Sequence, residues 1–342
     1  MKYQKPHLTY EQQLKRLRQR GLTISDPAQA IRHLKRIGYY RLSGYLYSLR
    51  QMDPTARHQK KTPKRLDSFI EGARIEDAIA LHDFDHRLRL ALLDGLQQIE
   101  VGLRVKIGHT LGKRGPLAHL DPTSLSARAS KLHPGKSSKN KKLTCYEVWR
   151  NEYDNHQRNA RKGKQDFVLH FIDHYEKEVP IWGAVEFMPF GCLVSLLELL
   201  EAKDQRRISH DLGVKDQKVL LGWLRPLNVL RNHCAHSNRV WNRPVVFQAD
   251  KLNLNMFLSP DLLAHLQVSP KAPVDHRRVY FHAATATYLL HAIDPDANWV
   301  DKFVSVIKGF PDNVREFGLS PEYSMGFTDG WDEERLWKLQ RP

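Results

Sequence analysis

Apolar residues recur along this chain mainly at three- and four-residue steps. The longest such series runs through Ile75, Ile79, Leu81, Leu88, Leu92, Leu96, Ile99, Leu103 and Ile107, which predicts one long helix over roughly residues 68–111. Upstream, Thr9-Tyr-Glu-Gln12 has capping-box spacing, and Leu14 and Leu17 continue a short helix toward Gly21. Asp26-Pro27 opens another, with Ala30, Leu34 and Ile37 on one side and Gly38 as its stop. Residues 51–66 read as a Pro-, Lys- and Arg-rich loop, and residues 121–145 as a flexible Ser/Lys/Pro/Gly insertion. Helical spacing returns at 146–177, 185–203, from Asp216 onward, at 275–292 and at 298–308. Alternating patterns are scarce and no repeat of 20–50 residues is found. The fold class expected is all-α. It divides into a basic helical N-terminal region (1–66), a helical bundle (67–250) carrying the basic insertion, and a mostly helical C-terminal extension (251–342).

Charge narrows the function. The 342 residues carry a net +16, and the pI is about 9.7. Residues 1–65 hold a net +13 and residues 126–164 a net +8, so the rest is about 5 negative. Two basic segments on an acidic body fit a polyanionic partner, with a solvated face as the plainer alternative. Phosphate contacts are expected from Arg16, Arg20, Arg36, Arg41 and Arg50 in the first segment. Lys139, Lys141 and Lys142 would serve in the second. Three scattered cysteines, Cys145, Cys192 and Cys234, give no disulfide framework and suit a reducing cytoplasm. No apolar run is long enough to span a bilayer and the N-terminus has no leader-like core, so no membrane role is expected.

The stretch RPLNVLRNHCAHSNRVWNR, residues 225–243, concentrates the reactive residue types. On an ideal helix Leu220, Leu224, Leu227 and Cys234 share a stripe, and Arg231 falls near its middle. An arginine there needs a carboxylate or a phosphate to meet it. Asn232 and His236 lie one turn apart, whereas Arg231 and His236 diverge by about 140° unless the helix ends near His236 or two chains pool their residues. Pro226 lacks an N–H and can kink the helix, so the angles upstream of it are soft. Imidazole can move protons near neutral pH, and guanidinium can neutralise a phosphorane. The set R-N-x-x-x-H therefore suits RNA cleavage by 2′-OH attack. A buried ion pair with a helix-end histidine is the plainer reading. A zinc site at H-C-A-H lacks a second ligand pair, and His82, Asp83, Asp85 and His86 read as the polar side of the long helix rather than a metal cluster. No metal or cofactor is expected. Tyr39, Tyr40, Tyr45 and Tyr47 read first as core, with base stacking as the alternative. Arg239 and Arg243 are candidates for flanking phosphates.

Arg231-Asn232-His233-Cys234-Ala235-His236 resembles the signature of HEPN ribonucleases, in the version carried by abortive-infection proteins of the AbiD/AbiF type. The stretches KPHLTYEQQLKRLRQRGLTI, IGYYRLSGYLYSLR (37–50), LHDFDHRLRLALLDGLQQIEVGLRVKI (81–107) and VPIWGAVEFMPFGCLVSLLE (179–198) are similar to the same family, in the same order. The resemblance covers about 5–245. It implies a HEPN-like bundle, anti-phage defence by growth arrest, metal-independent endoribonuclease activity, and a homodimer with a composite cleft. It also implies contact with a small structured RNA besides the substrate. Arg231 and His236 match the motif ends and Asn232 its polar second position, which makes these three the catalytic candidates. Glu100 and Arg104, an i,i+4 ion pair, gain a supporting role because the resemblance sets their helix beside the cleft. The competing expectations are a non-enzymatic protein that binds structured RNA, and a helical scaffold for another toxin.

Overall fold

The computed structural model describes residues 4, 6–54, 65–138, 141–175, 178–245, 252–267 and 274–338. Helix α1 (Tyr10–Gln19) starts where Thr9 and Gln12 cap each other reciprocally, and it stops before Gly21 at φ 88°. Helix α2 (Pro27–Ile37) is capped by Asp26, whose carboxylate accepts the Gln29 N–H at 3.0 Å. Gly38, at φ 86°, turns the chain directly into α3 (Tyr39–Leu46). Two short strands follow, β1 (Arg50–Met52) and β2 (Arg65–Phe69), paired antiparallel. The segment read as loop thus has paired ends, and its middle, 55–64, lies outside the described residues.

The spine is α4 (Ile75–Gly112), 38 residues and so about 57 Å long. Its buried residues include Leu81, Phe84, Leu88, Leu92, Leu96, Ile99, Leu103 and Ile107, and each fully buried leucine is worth about 1.5–3 kcal/mol. Many elements use this one helix, so its apolar surface wraps more than a single face. Strands β3 (Leu132–Ser138) and β4 (Lys141–Thr144) then form a second antiparallel pair. The basic insertion is therefore a hairpin seated on the next helix rather than a structureless loop. That helix, α5 (Cys145–Lys162), opens with a capping box between Thr144 and Glu147 and ends at Gly163. Helices α6 (Asp166–His174), α7 (Ile181–Phe187), α8 (Phe190–Leu199) and α9 (Ala202–Asp211) follow. Prolines at 180 and 189 and the extended backbone at Leu200 and Glu201 cut what periodicity reads as longer helices.

Helix α10 (Gln217–Ala235) is capped by Asp216, whose carboxylate accepts the Lys218 N–H at 2.7 Å. It runs through Pro226 as one continuous helix with the proline ring buried. Apolar packing on both flanks holds what propensity alone would break.

Near the C-terminal end, α11 (Val279–Ile293) is buried from Val279 to Leu290 without interruption, and α12 (Trp299–Lys308) follows it. Both pack on α4, and α11 also meets α10. Close approach needs missing side chains. A methyl on Gly95 would sit 2.5 Å from Trp299 Nε1, and one on Gly102 would sit 2.8 Å from Ile293 Cδ1. With Gly95 bare, the Trp299 indole N–H reaches the Ala91 carbonyl at 2.6 Å. The short helices α13 (Asp312–Arg315) and α14 (Pro321–Met325) close the end. The class is all-α. Among the described residues no helix is long and apolar enough to cross a membrane.

Candidate functional site

The arginine foreseen in an apolar stripe does meet a carboxylate. Arg231 Nε donates to Glu100 Oε2 at 3.1 Å, from α10 across to α4. Glu100 is buried, and its other oxygen accepts Arg104 Nη2 at 2.7 Å, one turn along α4. Arg104 also reaches the Met188 carbonyl at 3.3 Å and stands 3.8 Å from Glu186. A buried carboxylate between two guanidinium groups compensates its desolvation, and it fixes both cations in direction. The bond to Nε holds Arg231 by the side of its fork. Its Nη1 lies 3.5 Å from Asn232 Oδ1, a loose contact, and the side chain keeps about a quarter of its surface in solvent.

Five residues on, α10 ends at His236, its C-cap, whose N–H still makes the helical bond to Asn232. Termination follows the Schellman pattern, with the Ser237 N–H on the Cys234 carbonyl at 3.2 Å and the Asn238 N–H on the His233 carbonyl at 2.9 Å. Ser237 takes the left-handed conformation at φ 55°, which usually falls to glycine. His236 is exposed at this terminus, its backbone N–H on the Asn232 carbonyl at 3.0 Å. Asn232 thus touches the guanidinium with its side chain and the His236 backbone with its carbonyl. Ser237→Gly should relax the turn and stabilise the fold by about 0.5–1 kcal/mol, read from urea unfolding. A loss of stability there would mean that the serine conformation is not strained.

The chain after the motif is clamped from two helices. Arg41 of α3 donates to the Ser237 carbonyl at 2.8 Å, and Arg239 donates back to the Gly44 carbonyl at 2.5 Å. Beyond them, the Val240 and Trp241 N–H groups both donate to Asp85 Oδ1, at 3.1 and 2.7 Å. Asp85 Oδ2 accepts Tyr45 Oη at 2.6 Å and Arg89 Nη1 at 2.5 Å. Trp241, fully buried, meets Phe84 edge-on and packs against Phe310. Of the residues read as the polar side of the long helix, Asp85 is instead fully buried, a knot joining α3, α4 and the segment behind the motif. His82 instead pairs with its neighbour Asp83 at 2.9 Å. Among the described residues no group of three or more His, Cys, Asp or Glu could hold a metal ion. Beside the motif, burial and then the charge of Arg243 lower the pKa of the His233 imidazole.

The foreseen phosphate contacts are scattered. Arg41, Arg239 and Arg243 gather around the motif. Arg20 and Arg50 instead clasp Asp67, each at 3.1 Å, and Arg50 also covers the Tyr47 ring. Arg36 stands 3.6 Å from Asp83, and Arg16 is half-buried on α1. Lys142 is exposed on β4; Lys139 and the Lys141 side chain lie outside the described residues. Sequence reading missed the role of Asp85, although its signal was present. Leu81, Asp85, Leu88 and Leu92 follow heptad spacing, so the carboxylate sits on the apolar stripe.

No curated protein and no solved structure matches this chain. The family described as Abi-like protein matches residues 32–242, a span that includes α3, α4, the Asp85 knot and the whole Arg231–His236 motif. That span is more than half of the chain, which therefore belongs to the family of Abi-like proteins.

Proposed function

We propose that this protein is a metal-independent endoribonuclease of the HEPN type, acting in abortive-infection defence of the AbiD/AbiF kind. The observation that carries the reading is the end of α10. There a guanidinium is held by Nε on a buried carboxylate, five residues before an exposed imidazole at the helix terminus. Arg231 would present its free Nη edge to the scissile phosphate and stabilise the charge of the phosphorane. His236 would transfer protons, and Asn232 would orient the phosphate or the ring. The substrate's 2′-oxygen loses its proton and bonds to phosphorus as the bond to the 5′-oxygen breaks. That leaving oxygen takes up a proton, which gives a 2′,3′-cyclic phosphate and a 5′-OH. Glu100 and Arg104 act as positioning residues.

A single imidazole cannot be base and acid at once, so the reading includes a homodimer in which the second copy supplies the other. Val101 and Val105 of α4, each more than half exposed, offer an apolar face close to Arg104 for that pairing. The gathering of Arg41, Arg239 and Arg243 favours a second reading, a protein that clamps a small structured RNA without cutting it.

The test is RNA cleavage in the presence of chelator by His236→Ala beside the unaltered protein, with product ends identified. A fall of about 100-fold or more at unchanged circular dichroism is expected. Cleavage at the original rate overturns the nuclease reading. RNA binding with steep salt dependence and no cleavage under any condition supports the clamp.

A further inference from the structure

Four tyrosines cluster between residues 39 and 47, and the fold gives them different tasks. Tyr45 is buried and bonded to Asp85, Tyr39 is half-buried, and Tyr47 lies under the Arg50 guanidinium. Tyr40 does none of these and is 92% exposed. A phenol ring left almost wholly in water adds nothing to the core.

Its place on α3 gives it a neighbour. Arg41 is bonded to Ser237 and Gly44 to Arg239, so α3 adjoins the chain leaving α10. A methyl on Gly44 would lie 3.9 Å from Arg239 Cδ, so this face of α3 is turned to that segment. Tyr40 is one helical turn before Gly44 on the same face, and its neighbour Arg41 holds Ser237, the residue that follows His236. The exposed Tyr40 and the exposed His236 thus belong to two segments joined by the Arg41 and Arg239 bonds.

We propose that Tyr40 is a stacking platform for an unpaired nucleobase next to the scissile phosphate. The inference rests on the reading of Arg231 and His236 as the reacting pair. In an A-form duplex each base face is covered by its neighbours, so a lone ring at a helix end has nothing to stack on. An unpaired base can swing out and lie on it, while Arg41 holds the adjoining phosphate. The contact is indifferent to base identity and selects by strandedness.

The experiment uses the full chain carrying His236→Ala, so that RNA stays intact. It takes a 12-nucleotide single strand with 2-aminopurine moved through each position, and the same strand in a duplex. Quenching at one position is expected for the single strand and not for the duplex. Tyr40→Ala should abolish it and weaken binding roughly 5- to 150-fold, the range of one base–aromatic stack. Tyr40→Trp should restore both, which a structural role for the hydroxyl would not allow. Cleavage is measured in parallel on the chain with His236 intact. If that chain cuts RNA while Tyr40→Ala binds and cuts it equally well, the platform is wrong and the nuclease stands. Tyr40-dependent quenching without any cleavage keeps the platform and removes the nuclease. No binding of either RNA overturns the platform outright.

Discussion

Asp85→Ala is expected to lower the unfolding free energy by about 3–5 kcal/mol, the cost of breaking a buried, hydrogen-bonded ion pair from one side. The carboxylate is fully buried and accepts four donors: the Tyr45 hydroxyl, Arg89, and the Val240 and Trp241 amides. Alanine would leave the Arg89 guanidinium, only 5% exposed, without its counter-charge, and two backbone N–H groups without acceptors. The loss would not stay local. The Val240–Trp241 amides tie the chain behind the motif to α4, and Tyr45 ties α3 to the other oxygen of the same carboxylate. Helix α3 carries both Arg41, which closes the turn at Ser237, and Tyr40. Stability and any activity of the α10 terminus should therefore fall together. Asp85→Asn should recover little, because its amide would turn N–H groups toward Arg89 or toward the backbone donors. Urea unfolding at constant m-value measures the change. A shift below about 1 kcal/mol for Asp85→Ala would mean that the knot does not hold the segment.

How far this arrangement can be read from the sequence differs from element to element. Helix starts are local chemistry, and Thr9, Asp26 and Asp216 each cap where the spacing of polar and apolar residues places them. The spine is legible because nine apolar positions keep helical phase. The two hairpins are not. Residues 50–52, 65–69 and 132–144 are polar and short, and their pairing depends on what the chain between the strands permits. Nor is Pro226 legible, since tertiary packing keeps α10 whole around it. At the site, the need of Arg231 for a carboxylate follows from its stripe, and Glu100 was already a named neighbour. Asp85 is less legible, because with His82, Asp83 and His86 it reads as a polar helix side, and only its heptad phase with Leu81, Leu88 and Leu92 sets it apart. The separation of Tyr40 from Tyr45 is beyond any spacing argument on its own. One turn and one residue apart on α3, they differ only in which face the rest of the fold covers.

Acid should unfold this protein earlier than its carboxylates require, because it buries neutral histidines. His282 on α11 is 1% exposed, and neither ring nitrogen has a partner. Burial, and then the nearby His276, push its pKa down to about 3 against the opposing Asp275. His119 is also fully buried, against Trp149 and Tyr153, and burial with Arg150 pushes it to about 3. Unfolded, each would titrate near 6.5. For a base with a depressed folded pKa, the unfolded chain binds the extra proton, so stability is whole above pH 6.5 and drains as pH falls toward 3. Each ring then costs about 2 kcal/mol by pH 5, and the pair about 4, a large part of an ordinary domain's 5–15 kcal/mol. The exposed carboxylates with lowered pKa, such as Asp121 and Glu201, add their loss only below their usual range. The window from pH 6.5 to about 4.5 therefore belongs to the histidines. His282→Leu should lower the slope of unfolding free energy against pH in that window by about a third, because His119 and His265, the latter pushed down to about 4, share it, and should leave the slope well below pH 3 unchanged. An unaltered slope between pH 6.5 and 4.5 would show that His282 takes up its proton without unfolding the core.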